Sequence, residues 1–514
     1  MERTANTRRN IVYGFLQVLT SLVLPFIVRT IIIYRFGVDY LGLNSLFTSI
    51  ISVLSLMELG FGSAVVYSMY KPVAEGDNEL VCAYLAYFKI IYRFIGLSIM
   101  GVGLLLVPFL SRLIRDPSLP EGLNLYSTYL IFLANSVISY LLFGYVTVIP
   151  TAFQRQDVLS RIQTVMTVAK CIIQSAVLLC SKNFYLYFFA MPLVTVIQNL
   201  LTAYIVRERY PEIECRGEIN EEQKTDLKEK VKGLLINRLT NASRNSIDSM
   251  CISAFIGLAM TGMYNNYLFI MTGILSCTVV IMTSMTPSVG NSIVTESKEK
   301  NYNDLRQFDF MYMGIVTWAT VCMLCLYQPF IITWIGNGMV LRIAVGMSLY
   351  FFVLNSGSIN WVYLSAAGLW YETRWCMIGE LVGNIVLNVI LCKVMGIYGI
   401  VLATIVTVSA TNLFFYPRVV FTKYFKNGKL KEFWLDHAAY TFAMILTAGL
   451  SWILCAIALP IGMLRSKLIG SCLICLIGRL IIATLMFVAV LWVVWHKSER
   501  YRIAMVWMKK LVRI

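Results

Sequence analysis

Charged residues and histidine are both scarce in this chain of 514 residues. Charged residues make up 14% of the chain and hydrophobic residues 58%, whereas a soluble protein carries roughly a quarter charged residues. The two histidines, His437 and His496, are too few for a histidine-based metal site or a catalytic triad. The scarcity of charge argues against a soluble globular protein and predicts an integral membrane protein.

Motifs of ATP-driven and catalytic proteins are also missing. The sequence has no Gly-x-x-x-x-Gly-Lys-Ser/Thr loop for ATP hydrolysis, and no aspartate-rich cytosolic motif of a metal-dependent glycosyltransferase. The thirteen cysteines are scattered through apolar segments, which predicts helix packing rather than disulfides or metal binding. We therefore expect that the protein is not an enzyme and needs neither a cofactor nor a metal.

Apolar runs long enough to cross the roughly 30 Å hydrocarbon core of a bilayer recur along nearly the whole chain. They predict an all-α, polytopic membrane protein with about fourteen transmembrane helices. The predicted spans are 11–33, 41–70, 81–110, 124–151, 158–181, 183–206, 233–256, 262–290, 309–335, 341–370, 375–395, 396–421, 437–460 and 468–496.

Three sequence features recur in the same order about 220 residues apart. The pairs are Gly37 and Gly42 with Gly257 and Gly262, Pro108-Phe109 with Pro329-Phe330, and Asn135-Ser136 with Asn355-Ser356. The repeat predicts two parallel six-helix lobes around a central cavity, which is the usual construction of a secondary transporter. The predicted organisation is an N-terminal lobe at 1–206, a cytosolic linker at 207–232, a C-terminal lobe at 233–421, and an extra helix pair with a basic cytosolic tail at 422–514.

Positive charge is unevenly distributed between alternate loops. With a cytosolic N-terminus, the inner segments hold 28 of the 43 lysines and arginines and the outer segments hold 8. The positive-inside rule then places both termini in the cytosol. The net charge of +16 faces anionic membrane lipids and not nucleic acid, since no basic face is interleaved with aromatic residues.

The seventh predicted span carries an unusual polar face. Asn237, Asn241, Arg244 and Asp248 follow helical spacing on one side, and Arg238 lies beside them. Charged groups inside a membrane are costly and are candidates for function. The alternative interpretation is hydrogen bonding between packed helices.

Further charged residues occur in other predicted spans. Arg29, Lys89 and Arg93 are cations of the first lobe, although Lys89 and Arg93 can also extend to the inner headgroups. Glu58 ends a polar stripe in the second span, and Glu380 begins one that continues to Asn384. A carboxylate at such a depth pairs with a cation of the protein, binds a coupling ion, or holds a proton. The sequence leaves these three alternatives open for Glu58, Asp248 and Glu380.

Residues 34–79 carry a family resemblance. The matching elements are Gly37, Leu41-Gly42, Glu58-Leu59-Gly60-Phe61-Gly62, Glu75-Gly76-Asp77 and, further along, Arg209-Tyr210-Pro211. With these elements the chain resembles the polysaccharide repeat-unit flippases of the Wzx type, in the multidrug/oligosaccharidyl-lipid/polysaccharide (MOP) exporter superfamily. The predicted span count and the basic inner loops extend the resemblance along the chain.

This resemblance implies a bacterial inner-membrane protein that moves an undecaprenyl-diphosphate-linked oligosaccharide outward by alternating access. Arginine pairs well with phosphate oxygens, so Arg29, Arg238 and Arg244 are the phosphate candidates. The amides of Asn237, Asn241, Asn265 and Asn384 would meet sugar hydroxyls. The implied partners are this lipid-linked substrate, membrane lipids and a polysaccharide assembly machinery.

Three alternatives remain open at this point. A lipid II flippase shares the fourteen-span plan and a cationic cavity. A drug/cation antiporter of the same superfamily would prefer twelve spans and an acidic cavity. A membrane polymerase or ligase would need a long external loop with clustered carboxylates or arginines, and the sequence has none.

Overall fold

A computed structural model describes residues 2–58, 60–114, 122–181, 183–335, 341–426, 428–460 and 469–512. These residues form helices joined by short turns. In chain order the helices are α1 (Glu2–Arg35), α2 (Val38–Leu54), α3 (Phe61–Glu75), α4 (Asn78–Leu106), α5 (Leu125–Leu141), α6 (Val148–Ala152), α7 (Gln156–Cys180), α8 (Phe184–Arg209), α9 (Glu221–Phe255), α10 (Leu258–Thr295), α11 (Lys298–Ile335), α12 (Leu341–Asn355), α13 (Ile359–Ala366), α14 (Trp370–Met395), α15 (Ile397–Ser409), α16 (Tyr416–Val419), α17 (Leu430–Ala458), α18 (Ile469–Trp495) and α19 (Glu499–Val512).

The predicted all-α polytopic membrane fold is confirmed. Among the described residues, eleven helices are long and apolar enough to cross a membrane, and a twelfth span is formed if α5 and the bent segment 144–152 after it are taken together. Two predicted spans differ from the expectation. The span predicted at 41–70 is divided into α2 and α3, and the one at 233–256 belongs to α9, whose described apolar part, Ser246–Phe255, is short.

The sequence repeat has a structural counterpart. The second copy begins α10 and α11 220 residues after α2 and α4, at Leu258 and Lys298 against Val38 and Asn78. Gly37 and Gly257 precede α2 and α10 with positive φ angles of 103° and 134°. The amide of each glycine donates to the carbonyl five residues earlier, over 3.1 and 3.0 Å. The same turn is therefore built twice.

The chain divides into two compact units, Met1–Gly262 and Met263–Ile514. The first unit has a core of buried aromatic and branched side chains, in which Phe47 contacts Tyr129 and Phe132 at ring distances of 5.6 and 5.5 Å. The predicted lobe limits rest on the sequence repeat, and they remain a prediction.

Residues 210–220 of the predicted linker pack against the start of α4. The Asn78 side chain donates to Glu212 Oε2 over 2.6 Å. Asn220 then caps α9 through a reciprocal capping box with Gln223. α9 runs for 35 residues without a break, so the latter half of the linker and the seventh predicted span form one continuous helix.

Candidate substrate cavity

A break in the helical backbone creates the candidate site of the first unit. A 3₁₀ turn at Ser55–Glu58 ends α2, and Gly60 takes a left-handed conformation with φ 94° before α3 begins. A glycine is needed there because a side chain strains this backbone region. In the second copy, α10 continues unbroken through the equivalent residues. The break is thus specific to the first copy.

Glu58 lies at this break and is held by two tyrosines. The Tyr92 hydroxyl donates to Glu58 Oε1 over 2.6 Å, and the Tyr140 hydroxyl donates to Oε2 over 2.8 Å. Each carboxylate oxygen therefore accepts a hydrogen bond from a neutral hydroxyl of the described chain. Of the three roles left open by the sequence, pairing with a protein cation is the one that this geometry does not provide.

The equivalent position in the second copy lacks the carboxylate. Counting 220 residues on, Glu58 corresponds to Thr278 and Tyr92 to Tyr312. Both of these hydroxyls donate to Asn355 Oδ1, over 2.9 and 2.5 Å. The duplication therefore preserves the tyrosine and the buried polar contact, but the acid belongs to the first copy.

An open cavity of about 1300 Å³ adjoins Glu58. Its polar lining consists of Glu58, Ser63, Thr147, Thr151, Gln156 and Gln163, with Tyr67, Tyr70 and Tyr92 as aromatic walls. Tyr67 and Tyr70 remain 64% and 43% exposed, and they also border a neighbouring cavity of about 1000 Å³. Such a lining offers hydroxyl and amide hydrogen bonds beside flat apolar faces, which suits a polar ring compound.

The predicted site did not include most of these residues. Ser63, Tyr67 and Tyr70 lie at steps of four and three on α3 and so share one face. This spacing was a signal in the sequence, but tyrosine in an apolar run is equally typical of a packed span. Gln163 carried no sequence signal, and its side-chain carbonyl accepts a hydrogen bond from the Gln17 amide of α1 beside the cavity.

Arginines cluster at the start of α7, next to the cavity residue Gln156. The fully buried Asp157 accepts from Arg155 Nε and Nη2 over 2.8 and 3.2 Å, and Arg161 lies 3.4 Å away. The hydrogen bond to Asp157 raises the pKa of Arg155. Arg161 also stacks on Tyr13 at 3.8 Å and stays partly exposed. Two guanidinium groups on one carboxylate leave a net positive charge.

The predicted cations of the first unit occupy other places. Arg29 is half-buried on α1 beside Tyr187, and Arg244 is half-buried on α9. Lys89 lies 5.6 Å from the ring of Tyr145, and Arg93 is exposed. None of these four lines either of the two cavities.

The polar face predicted on the seventh span is partly described. The side chains of Asn237, Arg238 and Asn241 lie outside the described residues. Asp248 is fully buried, four residues from Arg244 as the sequence requires. The predicted cavity wall on this face stays a prediction.

In the second unit, the predicted polar residues of α14 are buried. Asn384 donates to Thr404 Oγ1 over 3.1 Å and accepts from Asn388 over 3.2 Å, which joins α14 to α15. This placement favours helix packing over sugar contact for Asn384. Glu380 is 6% exposed on the same helix, and Asn265 is half-buried on α10.

No protein-family model and no curated protein sequence matches this chain. Its fold is similar to solved transporters. The lipid II flippase MurJ in an inward closed conformation is 13% identical with a TM-score of 0.62, and the match covers 95% of this chain and 99% of that one. An inward-facing multidrug resistance MATE transporter of the MOP superfamily is 11% identical with a TM-score of 0.60, over 80% and 96%.

The Vibrio cholerae MATE transporter VcmN, in its bent form, is 14% identical with a TM-score of 0.52, over 85% of this chain and 99% of that chain. These solved structures are of transporters and a flippase, in keeping with the expectation of a protein that is not an enzyme. The helical chain described above is a multi-pass membrane protein with the transporter fold shared by MATE proteins and MurJ.

Proposed function

We propose that this protein is a flippase for an undecaprenyl-diphosphate-linked oligosaccharide, a repeat unit of a polysaccharide, in the bacterial cytoplasmic membrane. The observation that carries the proposal is the open cavity of about 1300 Å³ in the first unit, with its exposed tyrosines, amides and hydroxyls. A drug-sized apolar cation would not need so many hydroxyl and amide partners.

The two chemical parts of the substrate require different surroundings. The saccharide needs hydrogen bonds and flat faces, which Gln163, Tyr67 and Tyr70 supply. The diphosphate needs cations, which Arg155 and Arg161 supply at the cytosolic start of α7 and Arg29, Arg238 and Arg244 supply deeper in the spans. The polyprenyl tail needs no site, because it stays in the bilayer while the headgroup crosses by alternating access.

Both termini are cytosolic in this proposal, and the substrate is delivered from the inner leaflet. The energy source lies outside the chain, since the sequence has no phosphate-binding loop. Enzymes that consume the flipped lipid at the outer face, such as a polysaccharide assembly machinery, would act as partners.

A lipid II flippase is the second candidate. It is favoured by the match to MurJ over 95% of this chain, whereas the MATE transporters match 80–86% of it. The longer match argues for a lipid-linked substrate over a drug, in either case. Expression in two bacterial strains, one lacking only the lipid II flippase and one lacking only a repeat-unit flippase, separates the candidates by which strain is rescued.

Transport in proteoliposomes tests the proposal directly. The purified protein should move a fluorescent undecaprenyl-diphosphate oligosaccharide between leaflets. Arg244→Ala should abolish this movement, and Arg29→Ala and Arg238→Ala should slow it at least tenfold, without loss of folded protein. Lys393→Ala, in a predicted external segment, is a matched cation control. Full transport by all three variants would contradict a cationic route for the diphosphate.

A further inference from the structure

A buried acid and a buried histidine meet in the second unit, away from the polar residues considered above. Asp309 of α11 and His437 of α17 have side chains that are only 3% and 6% exposed, and His437 Nε2 lies 3.0 Å from Asp309 Oδ2. The other carboxylate oxygen, Asp309 Oδ1, has no hydrogen-bond partner among the described residues. A buried carboxylate with so little support is costly unless a positive charge compensates it.

The neighbouring charged groups do not provide that compensation, because they neutralise one another. Arg306 of α11 binds Asp436 over 2.8 Å and Glu432 over 2.7 Å, and Arg500 of α19 binds Asp436 over 2.9 Å. Two cations therefore face two carboxylates. The remaining titratable groups nearby in the described chain are the hydroxyls of Tyr302, Tyr312 and Tyr440, the first of which donates to Glu432 over 2.7 Å.

The remaining elements add aromatic rings rather than charge. Phe433 stacks on the imidazole at a ring distance of 4.3 Å, and Trp495 of α18 packs against Tyr440 at 5.9 Å. With a neutral imidazole, this group of side chains would carry one uncompensated negative charge in a buried place. With one added proton it is neutral.

We propose that Asp309 and His437 form a proton-binding site, with the proton on the His437 imidazole and the carboxylate of Asp309 as its counter-ion. Imidazole is the stronger base of the two, so the proton belongs to the ring. The bound proton ties α17, the first helix after the duplicated part of the chain, to α11 within it. Loss of the proton leaves the Asp309 carboxylate buried beside a neutral ring and weakens this contact. The inference goes beyond the proposed flippase and does not depend on its substrate.

Nitrogen NMR of the intact protein tests the protonation directly, because the chain has only two histidines. In ¹⁵N-histidine-labelled protein in nanodiscs, His496→Gln leaves a single imidazole signal, from His437. We expect that signal to show an imidazolium at neutral pH, and Asp309→Asn should convert it to a neutral ring. A neutral ring in the protein with Asp309 present would overturn the proposal.

Thermal unfolding provides a second and independent readout. Because the folded state holds a proton that a free imidazole releases near neutral pH, stability should fall as the pH rises through the range in which the site loses it. His496→Gln should keep this dependence and Asp309→Asn should lower the melting temperature. The double variant Asp309→Leu with His437→Leu should recover stability and lose this pH-dependent step, since an apolar pair needs no proton. The same pH dependence in the double variant would overturn the proposal.

Discussion

Tyr67 and Tyr70 are large aromatic side chains that the first unit leaves exposed inside a cavity instead of packing them. Their rings lie 6.4 Å apart and nearly perpendicular. Each ring can therefore contact a different face of a ligand that enters between α3 and α7. For this reason the two residues give the sharpest test of the cavity at the scale of single residues.

We predict that Tyr67→Ala and Tyr70→Ala each weaken substrate binding about tenfold, or about 1.4 kcal/mol, because a ring contact is lost. The measurement is substrate-dependent transport in proteoliposomes. Tyr204→Ala is the matched control, since Tyr204 is 68% exposed on α8 and lines neither cavity. Equal effects of the three variants would remove the tyrosines from the site.

Glu58 shows what residue patterns can and cannot predict. Its depth in an apolar segment and its place in the "MELGFG" motif marked it as functional from the sequence. Its partners, Tyr92 and Tyr140, are 34 and 82 residues away, and no local pattern indicates such contacts. Asn384 shows the opposite case, because its helical spacing with Glu380 and Asn388 is the same for a cavity wall and for a packed helix face.

At the scale of elements, the repeated glycines Gly42 and Gly262 explain a close helix approach. A β-carbon on Gly42 would lie 2.0 Å from the Leu258 carbonyl oxygen, and one on Gly262 would lie 2.5 Å from the Val38 carbonyl oxygen. The starts of α2 and α10 therefore touch through backbone, in a reciprocal way that follows from the duplication.

We expect Gly42→Ala to destabilise the protein by about 1–3 kcal/mol, because backbone must move to admit the methyl group. Gly101→Ala is the control, since Gly101 lies in α4 with open space around it and alanine there should stabilise the helix by about 0.5–1 kcal/mol. Thermal unfolding of the two variants in detergent measures the difference. Equal melting temperatures would show that this approach is not required.

The helix boundaries also separate what was predictable from what was not. The apolar runs predicted most of the long helices, because a bilayer requires about twenty apolar residues in one helix. The run at 41–70 is interrupted by Gly60, and glycine alone does not predict a break, as the unbroken α10 shows. The difference arises because Glu58 and its tyrosines hold the turn in the first copy.

At the scale of the whole molecule, the distribution of lysine and arginine predicts that both termini are cytosolic. A fluorescent protein fused after Ile514 should therefore be bright, and alkaline phosphatase at the same position should be inactive. Fusions after Gly396, between α14 and α15, should give the reverse pattern, because that turn is predicted to be external. Active phosphatase at the C-terminus would contradict the predicted orientation.

The sequence by itself determined the membrane class, the helical fold, the duplication and the intramembrane charges, because these follow from composition, period and offset along the chain. Only the tertiary structure decided which polar side chains meet. It brought Tyr92 and Tyr140 to Glu58, Asp309 to His437, and Asn384 to Thr404, through contacts between helices distant in sequence. A helix face is defined by local spacing, but whether it borders a cavity or another helix depends on packing between helices.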